Sequence, residues 1–477
     1  MTTRCRIANF AVVCTAFCSA QAVFAAGFEL SGNSAMGLGR GMALTASVDD
    51  GTAIAHNPGR LSQATGTQLQ WSHQVIWSHE TFTRAPSQVP QKDIVGATTA
   101  EALQPSSNQT PVFPLGAFLV ATHRLTPELT LALGGYGPSA IGYKDFNTQG
   151  GQRYMLTKLD ALMAYASLAV AYGKQDLYGV GVTLQWAMMP KTDMTLVIDA
   201  ATGGAQSPYY AGNDVLATIR LKDMTAFSAI VGGWYRVSPN LDVALSGRAL
   251  PVRFDAEGDL ALTNDREGTG AKFTPPQLAV TGSKARLKLQ IAPTAALGAR
   301  YRSLDSSGAE AWDAEVNAVW EGWSVIDQYD VQTEGKINLF AKQDSPNVAI
   351  AKKWRDTLAL RVGGTKWLDS ALGVSLGGYV EQGATPLNYS HLDFPSFNRV
   401  GVGAGVRYKG KALDANFAYA HVFQETRTVS EQYGKVTQQR PLSPCPAGCD
   451  GNGDLPANAG TFETGYDMFT ASVAYRF

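Results

Sequence analysis

The sequence predicts an all-β protein: a 14-stranded antiparallel transmembrane β-barrel plugged by an N-terminal hatch. Three observations carry that prediction. Apolar and polar residues alternate with a period of two, short and long connections alternate strictly, and the last strand ends on an aromatic residue. The 49 glycines, 9 Trp, 18 Tyr and 19 Phe suit an aromatic-girdled barrel. A mean hydropathy of −0.09 results when one strand face meets lipid and the other a polar lumen. With 17% charged residues and a net charge of −1, the chain lacks the basic surface that nucleic acid demands.

Residues 1–25 read as a secretory signal, with Arg4 and Arg6 ahead of the apolar run Ile7 to Phe17 and the cleavage site Val23-Phe24-Ala25. The expected address is the bacterial outer membrane. Cys445 and Cys449 then remain as an even pair in an oxidising compartment, so a local disulfide is expected. Metal binding by this lone CxxxC lacks a second ligand pair. Asp450-Gly-Asn452-Gly-Asp454 resembles the start of a calcium loop, but Leu455 replaces its glycine and Thr461 its closing glutamate. A solvated turn is the expected reading there. No metal or other cofactor is expected.

Residues 26–64 form the expected plug, ahead of a barrel over 65–477. Seven glycines and one proline in 27–61 argue against a long helix or strand. Phe28, Leu30, Leu38, Leu44 and Ile54 nevertheless make the stretch too apolar for a solvated linker. Such a segment needs an enclosing wall. Gly37-x-Gly39-x-Gly41 is not read as a phosphate loop, because no strand precedes it and no βαβ unit surrounds it.

Strands begin near Thr67. Tyr178, Val180, Val182, Leu184 and Trp186 alternate with Gly179, Gly181, Thr183 and Gln185. Trp312, Val316 and Trp320 are expected outward, with Asp313, Glu315 and Asn317 inward. Over 285–301, Leu287, Leu289, Ile291, Leu297 and Tyr301 are expected on the lipid face and Arg286, Lys288 and Arg300 in the lumen. A soluble sandwich alternates too, so the connections decide. Short turns at 126–128, 173–176, 238–240, 305–308, 368–370 and 410–411 alternate with long polar stretches at 83–110, 145–156, 195–213, 259–284, 327–352, 385–397 and 429–463. That is the periplasmic-turn, extracellular-loop rhythm of outer-membrane barrels, and it counts out to 14 strands. On the final strand Phe469, Val473, Tyr475 and Phe477 share one face. Its aromatic end looks like the signal read by barrel-assembly machinery.

No enzyme is expected. Gly373-Val-Ser375-Leu-Gly377 matches a serine-hydrolase elbow in letters but lies inside an alternating strand, without the required strand-to-helix turn. The six histidines show no ligand spacing with carboxylate support, and no nucleophile–base–orienter set presents itself. Gly134, Gly135, Gly137 and Pro138 mark either the early end of the third strand or a kink in it.

Gly27-Phe28-x-Leu30, Ser34, Gly37-Leu-Gly39-Arg40, Asp49-Asp50 and Asn57-Pro58 followed by Leu61 together resemble the hatch of FadL-type outer-membrane proteins, the long-chain fatty acid and hydrocarbon transporters. Trp320-Glu-Gly-Trp323-Ser and Trp354-Arg-Asp356 extend the resemblance over nearly all of the mature chain. Gly41 and Gly59 stand where the family usually has Ala. The resemblance implies passive uptake of hydrophobic compounds, long-chain fatty acids first. It implies that the third-strand kink opens the barrel wall sideways and that Asn57-Pro58 lies near it, coupling plug to opening. A carboxylate cargo then needs lumenal cations, for which Arg153 and Lys158, with Arg286 and Lys288 behind them, are the candidates. Uptake of monoaromatic hydrocarbons and a general porin are the alternatives. Outer-membrane lipid and lipopolysaccharide are the expected surroundings of a monomer.

Overall fold

The computed structural model describes residues 27, 34–86, 103–114, 117–138, 142–199, 214–263, 279–339, 341–344, 348–439 and 456–477. The signal segment, Phe28, Leu30, Cys445, Cys449 and the 450–454 loop lie outside the described residues.

Strand β1 (Thr67–Arg84) pairs along its full length with the last strand, β14 (Gly460–Arg476), from Gln68↔Arg476 to Arg84↔Gly460, and this seam closes the barrel. Closure is what a membrane requires, because lipid cannot satisfy an open strand edge. Between them run β2 (Phe118–Arg124), β3 (Leu129–Tyr136, resuming at Tyr143–Asp145), β4 (Lys158–Lys174), β5 (Tyr178–Asp199) and β6 (Asp214–Ser238). Four two-part strands follow: β7 (Leu241–Leu250, Val252–Thr263), β8 (Ala279–Ile291, Thr294–Leu304), β9 (Glu310–Glu321, Gln328–Leu339) and β10 (Val348–Ala351, Thr357–Trp367). β11 (Leu372–Glu381), β12 (Arg399–Lys409) and β13 (Leu413–Gln424) complete the wall. Every neighbouring pair is antiparallel, giving the expected closed 14-stranded barrel.

In the half nearest the short turns, apolar side chains point outward and polar ones inward, as period-two alternation dictates. Val182, Leu184, Phe227, Leu245 and Leu297 stand on the outside, while Gln185, Ser246, Asn317 and Ser472 are buried within. Tyr172, Tyr235, Tyr301, Tyr408 and Tyr475 ring the turn end, and Trp77, Trp186 and Trp320 stand farther up the strands. Two aromatic belts of this kind mark membrane interfaces.

Above the second belt the pattern inverts on β4–β9. Val252, Phe254, Ala256, Ile219, Leu221, Leu287 and Leu289 are buried inside, while Arg253, Asp255, Glu257, Arg220, Lys222, Arg286 and Lys288 are exposed outside. Apolar residues inward and charges outward suit a wall standing in water. On β8 the expected facing of Leu287, Leu289, Ile291, Arg286 and Lys288 is therefore corrected. Pro293 has no N–H for the ladder, and at Ala292-Pro293 the strand breaks. Odd positions face inward before it, and even ones (Gly298, Arg300) after it. Bulges at 187–192 on β5 and 223–226 on β6 do the same.

Candidate functional site

The plug sits inside the polar half of the barrel. Helix α1 (Ala35–Gly39) is capped by Ser34, whose hydroxyl accepts from the Gly37 N–H at 3.1 Å. Helix α2 (Ala53–His56) runs into a 3₁₀ turn (Pro58–Gln63) whose cap is the Asn57 side chain, accepting from Gly59 N–H at 3.1 Å. Short, irregular pieces follow from the glycine content. Gly41 has φ +57°, and a Cβ there would lie 2.2 Å from the Gly378 nitrogen on β11. At Gly59 a Cβ would lie 2.7–2.9 Å from backbone atoms of Gly232, Gly233 and Gly179. At both positions the plug backbone lies directly on a glycine window in the wall, which accounts for the departures from alanine.

Buried charges lock it there. Arg40 donates to both carboxylate oxygens of Asp313 at 2.7 Å and to Thr365 Oγ1 at 2.7 Å. Arg300 donates to the same Asp313 at 2.7 Å. Asn317 and Glu315, the next inward residues of β9, accept from the Leu44 and Ala46 N–H groups at 2.9 and 2.7 Å. Asp49 pairs with Arg407 (2.8 Å) and Lys409 (2.6 Å) of β12. Asn57 donates to Thr45 O at 2.7 Å and to Gly233 O of β6 at 3.3 Å. Gly27 lies against Trp323, which packs edge-on to Trp354 at 5.4 Å. The expected inward trio Asp313, Glu315 and Asn317 is thus the main plug anchor, though the sequence held no sign that Arg40 reaches it.

The plug's apolar side chains (Met42, Leu44, Val48, Ile54, Leu61) form one continuous core with the inward residues of upper β4–β9. Within that core lies a narrow slot walled by Met163, Met194, Ile219, Leu221, Leu287, Leu289 and Ile350. Tyr329, Thr192, Asp393 and Phe394 also line it. Behind Asp393 stands a buried charge group: Lys352 Nζ at 2.6 Å, His391 Nδ1 at 2.8 Å, and Lys144, which pairs with Glu80 at 2.9 Å and donates to Leu392 O. Burial, together with the Lys352 and Lys144 ammoniums, pushes the His391 imidazole down, although Asp393 beside it pulls the other way. Asp393 is held well below the usual carboxylate range by His391 and Lys352 in spite of its burial.

Of the expected carboxylate cations, only Arg153 is buried; its guanidinium packs on the Tyr154 ring at 4.4 Å and donates to the Tyr154 hydroxyl, away from the slot lining. Lys158 is half-exposed beside Asp145 at 3.7 Å. Arg286 and Lys288 face outward, Arg286 bonded to Asp255. The inverted pattern of upper β8 is the reason. The slot and its charge group went unnoticed in sequence, yet a signal was there. Charges alternating with Val252, Phe254 and Ala256 cannot face lipid, so that stretch has to turn its apolar side inward.

Strand β3 breaks where its glycines and proline predict. Its ladder with β2 ends at Leu119↔Gly135, and Gly137 and Pro138 lie outside the ladder before pairing with β4 resumes at Tyr143↔Asp160. From Tyr136 to Tyr143 is seven steps, where the β4 partners Tyr165 to Asp160 take five. Ile54 of the plug lies 3.4 Å from a Cβ built on Gly134, in the paired part of β3 just before the break. Asn57-Pro58, expected there, packs instead against Gly181 and Gly232 of β5 and β6, whose missing side chains leave room for its backbone. Ser375 is an inward strand residue bonded to Thr365 Oγ1 at 2.9 Å, with no hydrolase turn.

The family described as Outer membrane protein transport protein (OMPP1/FadL/TodX) matches residues 16–462. No curated protein matches the chain. Among solved structures, a Pseudomonas aeruginosa FadL homologue superposes with a TM-score of 0.72 at 15% identity, over 95% of this chain and 100% of that one. The P. putida toluene transporter TodX gives 0.62 at 12% identity, over 95% and 98%. The Ralstonia pickettii toluene transporter TbuX gives 0.60 at 11% identity, over 94% and 100%. At these identities the likeness is one of fold, and it is the match over residues 16–462 that assigns the family. The chain belongs to the FadL/TodX family of outer-membrane transport proteins, which are channels or transporters and not enzymes.

Proposed function

We propose that this transporter of hydrophobic compounds takes up long-chain cargo, fatty acids among it, by passive capture in the slot, movement of the plug and lateral exit beside β3. The observation that carries the reading is the single apolar core shared by slot and plug, with plug residue Ile54 against Gly134 of β3, just before the strand break. Cargo in the slot touches the same core that the plug must leave for a path to open. Exit through the wall at Gly137-Pro138 lets an apolar molecule enter the membrane without crossing water. The aliphatic side chains that make up most of the slot lining suit a saturated chain. A second reading, uptake of monoaromatic hydrocarbons, draws on the toluene transporters among the similar structures and on Tyr329 and Phe394 in the slot lining. In this proposal the barrel works as a monomer amid lipid and lipopolysaccharide, and the β14 strand ending in Phe477 serves barrel-assembly machinery.

The test is displacement of a slot-bound hydrophobic fluorescent probe by long-chain compounds and by toluene, with Leu289→Arg as the slot-blocked variant. Saturable displacement by long chains, lost in Leu289→Arg, supports the proposal. Displacement by toluene alone keeps the path and moves the cargo to the second reading. No binding, together with steady ionic conductance, rejects uptake in favour of a porin.

A further inference from the structure

Resting on that uptake reading, we propose that among long-chain cargo the slot prefers the uncharged over the anionic: a long-chain alcohol, aldehyde or ester whose terminal oxygen bonds to the Tyr329 hydroxyl. Tyr329 lines the slot, is 6% exposed, and its hydroxyl has no hydrogen-bond partner among the described residues. A buried hydroxyl left unpaired costs stability that a ligand oxygen restores. One donor suits one neutral oxygen.

A carboxylate finds no free counter-charge at that end. Lys352 lies 4.7 Å from the Tyr329 ring, but its ammonium is already 2.6 Å from Asp393 Oδ2. Lys144 is likewise bound to Glu80 at 2.9 Å. Two lysines face two carboxylates, so with His391 kept neutral by burial the group sums to zero. Asp393 is itself part of the slot lining, so an anionic head group would meet a carboxylate before any cation. Burying a charge beside a like charge with no partner of its own is unfavourable. A plain hydrocarbon fits the wall but leaves Tyr329 unbonded.

The experiment measures displacement of the same probe, at pH 8, by oleyl alcohol, methyl oleate, oleate and 1-octadecene, which share an 18-carbon chain and differ at its end. Oleyl alcohol and methyl oleate are expected to bind about tenfold tighter than oleate. Tyr329→Phe should weaken both by about fivefold while leaving 1-octadecene unchanged. Asp393→Asn, which frees Lys352 from its partner, should tighten oleate. Oleate binding as tightly as the alcohol, or an unaffected alcohol in Tyr329→Phe, overturns the head-group inference and leaves the uptake reading standing. Failure of all four to displace the probe sinks the uptake reading itself. Should Tyr329→Phe not fold, as judged by heat-modifiable gel mobility, the four-ligand comparison on the unaltered protein still decides.

Discussion

At the scale of single residues, the plug is held by a few buried polar groups whose loss is not compensated by water. Arg40 is fully buried, and its fork binds both oxygens of Asp313 while Arg300 holds the same carboxylate from the other side. Breaking a buried pair by deleting one partner costs about 3–5 kcal/mol, because the other charge is stranded. Arg40→Ala is therefore expected to raise ionic conductance and to speed proteolysis within 34–64. The barrel's gel mobility should persist, since its strands pair without the plug. Arg40→Lys should fall between the two, keeping the charge but losing the two-pronged contact. Gly41 makes a different kind of contact. Its positive φ and the nearby Gly378 nitrogen leave no room for a side chain, so Gly41→Val should lift the plug off β11 and raise conductance, even though every ion pair remains available. Unchanged conductance in that variant would mean the window at Gly378 can widen.

At the scale of elements, helix α2 places His56 where a proton is unwelcome. Burial, helped by the Arg361 guanidinium, lowers the imidazole pKa from 6.5 to about 4. The released plug binds that proton more readily than the seated one. The contribution of His56 to plug seating is thus complete above pH 6.5 and is lost as pH falls from there towards 4. Protease access to the plug should rise over that window, and His56→Gln should flatten the profile; a pH-independent wild type would contradict the desolvation of the His56 imidazole. The same elements show what sequence makes legible. Turns such as Ser238-Pro-Asn and the alternation at Tyr178–Trp186 depend on local chemistry, and they appear in the fold as read. The facing of Arg286 and Lys288 depends on a bend at Ala292-Pro293, which shifts the parity by one residue without altering the letters on either side. Asp313 and Thr365, the wall partners of Arg40, lie 273 and 325 residues away along the chain, are set by closure of the whole barrel and leave no local trace. The break at Gly137-Pro138 was legible because proline cannot join a ladder, whereas the position of Asn57-Pro58 against β5 and β6 needed the glycine windows in three dimensions.

At the scale of the whole molecule, the barrel joins two environments. Its lower half exposes apolar residues to lipid, and upper β4–β9 turn the same kind of residue inward to build the slot. Cargo that enters from the water side is therefore already in an apolar setting before it reaches the plug. Under the proposed uptake two routes lead onward: down the polar lumen past Arg40 and Asp313, or sideways at β3. The lumenal route takes an apolar chain past Gln70, Gln74 and Ser472, all buried polar wall residues, whose bonds to the wall and plug an apolar chain cannot replace. The lateral route needs a strand that does not run straight, and β3 carries two more residues than its β4 partner across the break. Deleting Gly137 and Pro138 removes that excess and lets the ladder continue from Tyr136 towards Tyr143. Probe binding should stay within about twofold, because no slot residue is touched, while uptake of long-chain compounds into cells should fall to the level of a strain lacking the protein. Binding and uptake that both persist would send the cargo down the lumen. Loss of both would mean that the break shapes the slot itself.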